Sequence, residues 1–282
     1  MNWHERIIKR YTAMNKINRL SASSIKKYRS CPKSFFYKEI SDIEPPDEEE
    51  PEFFSIGNTV HDALEQVLQK SGTLDLSEDE LLSRLRDEEC SLDYNYEDSE
   101  KVQTCLEFAA KYISGYVTDI VSVEDRFEMN INGIDFVGYA DLIADVDDRG
   151  EELNDVIIDW KTGKENDEWK ERIQGGMYVK MFHEIYGRWP DSIQFIYLNE
   201  GTRSVHNRID GGDVMWNNHQ NKYWEEIERD ISDISNSAFN DEWEAKPGDS
   251  KCHFCDYKYS CREGGIGSED CEPHHLDIGG QL

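Results

Sequence analysis

Gly133-Ile134-Asp135-Phe136-Val137-Gly138-Tyr139-Ala140-Asp141-Leu142-Ile143 and, after a polar stretch at 147–154, Val156-Ile157-Ile158-Asp159-Trp160-Lys161 decide how this chain folds. Both are short apolar runs bounded by acidic or Gly-containing turn residues, which is the signature of strands, and the polar stretch between them reads as a hairpin. In a strand, residues i and i+2 share a face about 7 Å apart. Asp159 and Lys161 therefore point the same way, with Ile157 before them, and Val156, Ile158 and Trp160 form the other face. Apolar on both sides until its last two same-face positions, this is a central strand that delivers a charged pair at its end. Antiparallel pairing with the first run sets Asp141 beside Asp159. Two carboxylates forced together repel unless a cation lies between them, so the arrangement makes sense as a divalent metal site. The Lys161 ammonium can then orient or activate a water and offset charge developing on a phosphate. The plainer reading is a surface ion pair, worth little; only context separates the two.

Working outward, 169–186 carries Ile173, Met177, Met181, Phe182 and Ile185 at a helical period. Gln174 and Tyr178, four apart, stack on one face. They can meet a substrate strand or a metal-bound water there, or simply pack at the rim of a core. Upstream, a loop from Phe53 through Gly57-Asn58-Thr59-Val60-His61 enters a helix whose buried face is Val60, Leu64, Val67 and Leu68. His61 lies at the edge of that face, where a lone histidine is ordinarily a satisfied core residue. Residues 75–100 are acidic with a helical pattern, and 102–113 read as an amphipathic helix. Neither stretch is assigned any chemistry, and Cys90 and Cys105 within them read as ordinary cysteines. Ile193 to Leu198 is a further strand, turned at Asn199-Glu200-Gly201 into a hairpin with 203–209. A helix with Trp216, Tyr223, Trp224, Ile227 and Ile231 leads to the tail.

The tail carries Cys252, Cys255 and Cys261, a C-x2-C-x5-C array, among seven cysteines in all. An odd count with three thiols so close favours metal binding over disulfides. Zinc would need a fourth local ligand such as His253 or Cys271, whereas an iron-sulfur cluster needs four thiolates. Near the start, Ser21-Ala22-Ser23-Ser24 signals a helix N-terminus, and Ile25, Tyr28, Phe35 and Phe36 share a face interrupted at Cys31-Pro32, where the proline turns the thiol inward. Residues 42–52 form an acidic, Pro-rich linker, and the Gly-rich acidic end with Cys271, His274 and His275 is expected to be disordered.

At 282 residues the chain can bury a full core. No apolar run approaches 18 residues and the first residues lack a signal peptide's apolar segment, so the expectation is a soluble, cytoplasmic protein with no membrane partner. The net charge of -29 is unevenly spread: the first 40 residues hold ten Lys and Arg against two Glu, a balance of +8, leaving -37 for the rest. A basic arm on an acidic body guides a polyanion to one place, which nominates Lys26, Lys27 and Arg29 as DNA contacts. A solvated helical face on a protein kept soluble by acidity, as in a high-salt host, is the alternative.

Gly138-Tyr139-Ala140-Asp141, Ile158-Asp159-Trp160-Lys161-Thr162-Gly163 and Gln174-Gly175-Gly176-Met177-Tyr178 together resemble the PD-(D/E)XK nucleases of the RecB-like exonuclease branch. That branch includes CRISPR-associated RecB-like exonucleases and the nuclease domains of RecB and AddB. Gly57 to His61 is similar to its G-x-x-x-H element, and Cys31-Pro32 with the tail cysteines is similar to its iron-sulfur members. The resemblance runs from about Ser21 to Cys261 with every block in family order. It implies an α/β, restriction-endonuclease-like core: a mixed central sheet flanked by helices, plus an iron-sulfur clasp from both ends of the chain. It implies catalytic roles for Asp141, Asp159, Lys161, Gln174 and Tyr178, with Mn or Mg held by His61, Asp141, Asp159 and the Trp160 carbonyl. It implies a 4Fe-4S cluster on Cys31, Cys252, Cys255 and Cys261. The implied organisation is a basic segment and linker at 1–52, a nuclease core at 53–245, a cysteine-rich segment at 246–265 and a tail at 266–282. The implied activity is a DNA exonuclease on single strands or free ends, in DNA repair, recombination, phage or CRISPR-type processing, with a helicase or CRISPR adaptation partner. A non-catalytic iron-sulfur DNA-binding module, or a nuclease subunit active only within a complex, is the competing reading.

Overall fold

Apolar on both faces, Glu152–Lys161 is the strand around which a mixed six-stranded sheet is built. The computed structural model describes residues 17, 19–41, 43, 52–90, 99–131, 133–165, 168–207 and 213–261. Along them run β1 (Arg19–Leu20), α1 (Ala22–Ser30), α2 (Pro32–Glu39), α3 (Glu52–Leu68), α4 (Glu78–Glu89), α5 (Ser99–Tyr116), β2 (Val117–Ile131) and β3 (Ile134–Asp147). There follow β4 (Glu152–Lys161), α6 (Glu168–Tyr186), β5 (Ser192–Tyr197), β6 (Thr202–Asn207), α7 (Asp213–Asn240) and the short α8 (Asp249–His253).

β2 lies antiparallel along one edge of β3 for nearly its whole length. On the other edge, β4 pairs antiparallel with the 142–147 half, and β1 pairs parallel with Asp135 and Phe136. β5 runs parallel to β4, the geometry that a crossover through α6 requires, and β6 closes the sheet as an antiparallel hairpin. Side-chain alternation then sorts the layers. Leu142, Ala144, Val156, Ile158, Trp160 and Ile196 join α3, α4 and α5 in one core. On the opposite face α6 packs close: a Cβ added at Gly175 would lie 3.6 Å from Phe195 and 3.7 Å from Ile193. Phe127 meets Tyr178 and Phe182 of α6 edge-on.

The expected α/β core is met, with two differences. The chain is helical from Glu52 rather than a loop up to Gly57, since no Gly or Pro interrupts 52–56. Residues 117–131, given no strand from sequence, form the longest strand among those described. The linker at 44–51 and the tail at 262–282 lie outside the described residues, as does most of the basic opening segment.

The chain divides into two compact units. One, residues 18–25 and 49–231, contains the whole sheet. In the other, residues 1–17, 26–48 and 232–282, α2 packs by its aromatics: Phe35 stacks on Trp243, Tyr28 meets Phe35 edge-on, and Tyr37 stacks on Tyr257 while its hydroxyl donates to the Ser260 carbonyl at 3.2 Å. Among the described residues no helix is long and apolar enough to cross a membrane.

Candidate active site

The site begins where the ladder between β3 and β4 stops. Their last pair is Leu142 with Ile158; beyond it Asp159, Trp160 and Lys161 pair with Phe195, Ile196 and Tyr197 of β5. In the fork so formed, the Trp160 N–H donates to Asp141 Oδ2 at 2.7 Å. A carboxylate thus takes the backbone donor that a continued ladder would have used.

α3 brings His61 to the same fork. Its Nε2 lies 3.1 Å from the Trp160 carbonyl, which can only accept, so Nε2 carries the proton. That leaves Nδ1, 3.6 Å from Asp141 Oδ1, as the nitrogen facing the carboxylates. Burial alone would push the imidazole down, but the Asp141 carboxylate, with Asp159 behind it, raises it to about 9. From β2 comes Glu124. His61, Glu124 and Asp141 offer ligand atoms all within 4.8 Å of one another, the one such group among the described residues. Burial, then the Asp141 charge, raises the Glu124 carboxyl to about 7, His61 opposing and Glu65 adding to the shift. Glu124 has φ 51, the left-handed region that non-glycine residues avoid at about 1–2 kcal/mol. The group opens into a cleft of about 470 Å³ lined by Gly57, Asn58, His61, Asp62, Glu65, Glu124, Asp141 and Thr162.

Asp159 and Lys161 face α6, as the alternation requires. Asp159 is 2% exposed and in contact with the Lys161 ammonium. Gln174 joins them: its amide donates to Asp159 Oδ1 at 2.5 Å and to the Tyr178 hydroxyl at 3.1 Å, and its carbonyl accepts from Lys161 Nζ at 3.2 Å. Burial holds the Asp159 carboxyl above its ordinary value, Lys161 opposing and Asp141 reinforcing the shift. Tyr178 needs Gly138, since a Cβ there would lie 2.7 Å from its ring. Gln174 and Tyr178 are buried: Gln174 bonds both Asp159 and Lys161, and Tyr178 reaches that pair only through Gln174.

The structure therefore gathers His61, Asp141, Asp159, the Trp160 carbonyl, Lys161, Gln174 and Tyr178 around one fork, and adds Glu124, which sequence reasoning passed over. Two signals pointed to it. Asn132-Gly133 is a strong hairpin dipeptide, and Val121, Val123, Phe127, Met129 and Ile131 alternate at strand period before it.

The cysteines lie in the other unit. Cys31 caps the start of α2, its Sγ accepting the Lys246 N–H at 3.4 Å. Cys252 Sγ accepts the Gly248 N–H at 3.4 Å, and Cys255 Sγ lies 3.7 Å from Ser34 Oγ. The Lys33 N–H donates to the Glu244 carbonyl and Lys251 Nζ to the Ser30 carbonyl, so segments 30–34 and 244–255 are tied together. Cys271 falls outside the described residues. Of the nominated cations, Lys27 is 3.2 Å from Asp256 and also lies over the Tyr257 ring.

A family model described as the PD-(D/E)XK nuclease superfamily matches residues 19–262. A crystal structure from Eubacterium rectale named "Putative exonuclease" superposes with a TM-score of 0.51 and 14% identity, covering 94% of this chain and 94% of that one. At that identity the likeness shows the fold alone. The structure of SSO0001 covers 90% of this chain and 94% of its own at TM-score 0.36 and 13% identity, too loose to carry an argument. No curated protein sequence gives a significant match.

Proposed function

The chain belongs to the PD-(D/E)XK nuclease superfamily, and from that premise we propose that it is a metal-dependent DNA exonuclease acting on single strands or frayed ends. The observation that carries the reading is the fork of β3 and β4, where Asp141, Asp159 and Lys161 meet His61 and Glu124. The donor set fits a divalent ion: an imidazole nitrogen and two carboxylates within reach of one another, one of them held above its ordinary pKa by burial and by its neighbour's charge. Asp159 and the Trp160 carbonyl complete the set, and an imidazole in it favours Mn over Mg. Bound there, the ion supplies Lewis acidity towards a phosphate oxygen and lowers the pKa of a coordinated water.

The chain's own groups supply the rest. Lys161 keeps a positive charge at the strand end, against which charge developing on the phosphate is stabilised. Gln174 holds Lys161 by its carbonyl and Asp159 by its amide, so both stay aimed at the fork. Tyr178 fixes Gln174 in turn, and these two act as positioning residues.

For the other unit the reading is a 4Fe-4S cluster on Cys31, Cys252, Cys255 and Cys261. Supporting it are backbone N–H donors aimed at Cys31 and Cys252 sulfurs, the kind of hydrogen bond that tunes cluster thiolates. Closing a loop of some 220 residues opposes folding by only a logarithmic entropy term, which four iron-thiolate bonds offset. Lys26, Lys27 and Arg29 of α1 are assigned to phosphate contacts.

End-labelled linear single- and double-stranded DNA and circular single strands, incubated with Mn, Mg or EDTA, test the nuclease. Linear DNA is expected to be degraded and circles spared; Asp159→Ala and Lys161→Ala are expected to be inert at unchanged melting temperature. Wild-type cleavage by either variant removes the assignment, and cut circles replace exonuclease with endonuclease. Anaerobically purified protein should be brown and contain iron, both lost in Cys31→Ala. Colourless, zinc-loaded protein whose Cys31→Ala variant keeps its metal would mean a local zinc site instead.

A further inference from the structure

Arg126 of β2 and Tyr139 of β3 stand directly opposite each other in the ladder. The same register, continued by two residues, sets Glu124 opposite Asp141, whose ligand atoms meet in the His61 group. Their neighbours Phe127 and Gly138 face Tyr178 of α6, so strand alternation turns Arg126 and Tyr139 to the other side of the sheet, that of α3, which carries His61; two residues along a strand span about 7 Å, and opposed side chains start about 5 Å apart at Cβ. The phenol and the guanidinium therefore flank the metal group on its hairpin side.

Every other large apolar residue of β3 is buried, yet Tyr139 is 42% exposed, and its ring stacks on no other aromatic among the described residues. Arg126 is exposed and among the described residues its ion pair is with an exposed Glu128, a pair worth little that a phosphate can take over bidentately.

The cleft also creates a need that this pair meets. Among the described residues it is lined by Asp62, Glu65, Glu124 and Asp141 and by no Lys or Arg, on a chain of net charge -29. A phosphodiester entering it is repelled unless cations stand at the rim. A flat aromatic face beside a cation is how proteins hold an unstacked base and its phosphate without reading sequence. A paired base is stacked on both sides and offers Tyr139 no face.

Resting on the nuclease reading, we propose that Tyr139 and Arg126 form a nucleotide subsite beside the metal group: Tyr139 stacks on an unpaired base next to the scissile phosphate and Arg126 holds the neighbouring phosphate, so that the site takes single-stranded DNA.

The test measures binding of the full chain to fluorescent single- and double-stranded oligonucleotides by anisotropy, in Ca2+ to separate binding from turnover. Tyr139→Ala should weaken single-strand binding about tenfold and leave duplex binding unchanged, while Tyr139→Phe restores it. Arg126→Ala should lower affinity across sequences and reduce the salt slope by about one. An abasic nucleotide walked along the strand should weaken wild-type binding at one position from the end, and Tyr139→Ala should be indifferent there. Unchanged melting temperatures and Mn-induced thermal shifts certify the variants. If Tyr139→Ala binds single strands like wild type, or keeps the wild-type abasic profile, the subsite is overturned even where cleavage proceeds. If wild type cleaves nothing with Mn yet shows Tyr139-dependent, abasic-sensitive binding, the subsite stands and the nuclease reading falls.

Discussion

Gly138→Ala adds a single methyl group where the structure has no room for it. The new Cβ would stand 2.7 Å from Tyr178 Cε1, 3.2 Å from Cδ1 and 3.7 Å from Cζ. Carbon atoms settle at about 3.5 Å or more, so the ring must retreat by about 0.8 Å. It has nowhere easy to go: Tyr178 is buried, edge-on to Phe127 at 6.1 Å, and hydrogen-bonded through its hydroxyl to Gln174. Overpacking of this kind destabilises by about 1–3 kcal/mol, a drop of several degrees in melting temperature. The functional effect should be larger in proportion, because Gln174 follows Tyr178 and holds both Asp159 and Lys161. A misplacement near 1 Å lowers rates about a hundredfold. Thermal unfolding and cleavage of labelled DNA read the two effects separately. In a Tyr178→Ala background the obstacle is gone, so the added methyl should there destabilise by less than about 0.5 kcal/mol. A Gly138→Ala enzyme with wild-type rate, or a penalty undiminished in that background, would refute the coupling from Gly138 through Tyr178 to the fork.

Metal affinity should depend on pH, because His61, raised from 6.5 to about 9, and Glu124, raised from 4.5 to about 7, must each lose a proton to ligate. Mn affinity by titration calorimetry should rise about tenfold per pH unit between 7 and 9 and more steeply below 7; a flat profile contradicts this. The apo protein should show the opposite trend in thermal unfolding: both folded-state pKa values lie above the unfolded ones, so the stability linked to these protons is present at low pH and lost as pH climbs through about 7 and then about 9. Glu124→Gln keeps the shape and removes the charge, and should weaken Mn binding by at least about tenfold with no loss of melting temperature; unchanged affinity would return Glu124 to a structural role. Far from the fork, Tyr112 donates to Gln194 Oε1 at 2.8 Å, a buried amide whose Nε2 finds no hydrogen-bond partner among the described residues, so Tyr112→Phe should destabilise by about 1–3 kcal/mol without changing Mn affinity.

What was legible in the sequence follows from how local each cause is. The pattern of 156–161 has one consistent reading, because a strand apolar on both faces can only be central, and the charged pair then falls at its end. Helical spacing set Gln174 and Tyr178 on one stripe of α6. Which way that stripe turned was not legible, since it is fixed by the close approach of Gly175 to Ile193 and Phe195 of β5. A polar pair on a helix reads outward by default; here it is driven inward and satisfied by Asp159 and Lys161. Cys31 and the tail cysteines are some 220 residues apart. Only a resemblance could join them, whereas the structure ties their segments by backbone bonds from Lys33 and Lys246.

Glu124 shows why the last candidate ligand stayed hidden. In β2 six of the eight odd-numbered positions, Val117, Val121, Val123, Phe127, Met129 and Ile131, are apolar, which puts Glu124 on the mainly polar even side with Thr118, Ser122 and Arg126. Read locally, that is a solvent face. Only pairing with β3, seventeen residues on, sets it opposite Asp141, and only a left-handed φ with a register irregularity just before it at 120–122 carries its carboxylate into the His61 group. Stability alone argues against every part of this arrangement. A glycine would relieve the backbone, and a neutral side chain would relieve the burial of charge and the Asp141 repulsion that together lift Glu124 to about 7. A chain that breaks the backbone rule and crowds two carboxylates at the same residue has one common remedy for both of them: a divalent cation bound between them, taken up as His61 gives up the proton it holds to about 9.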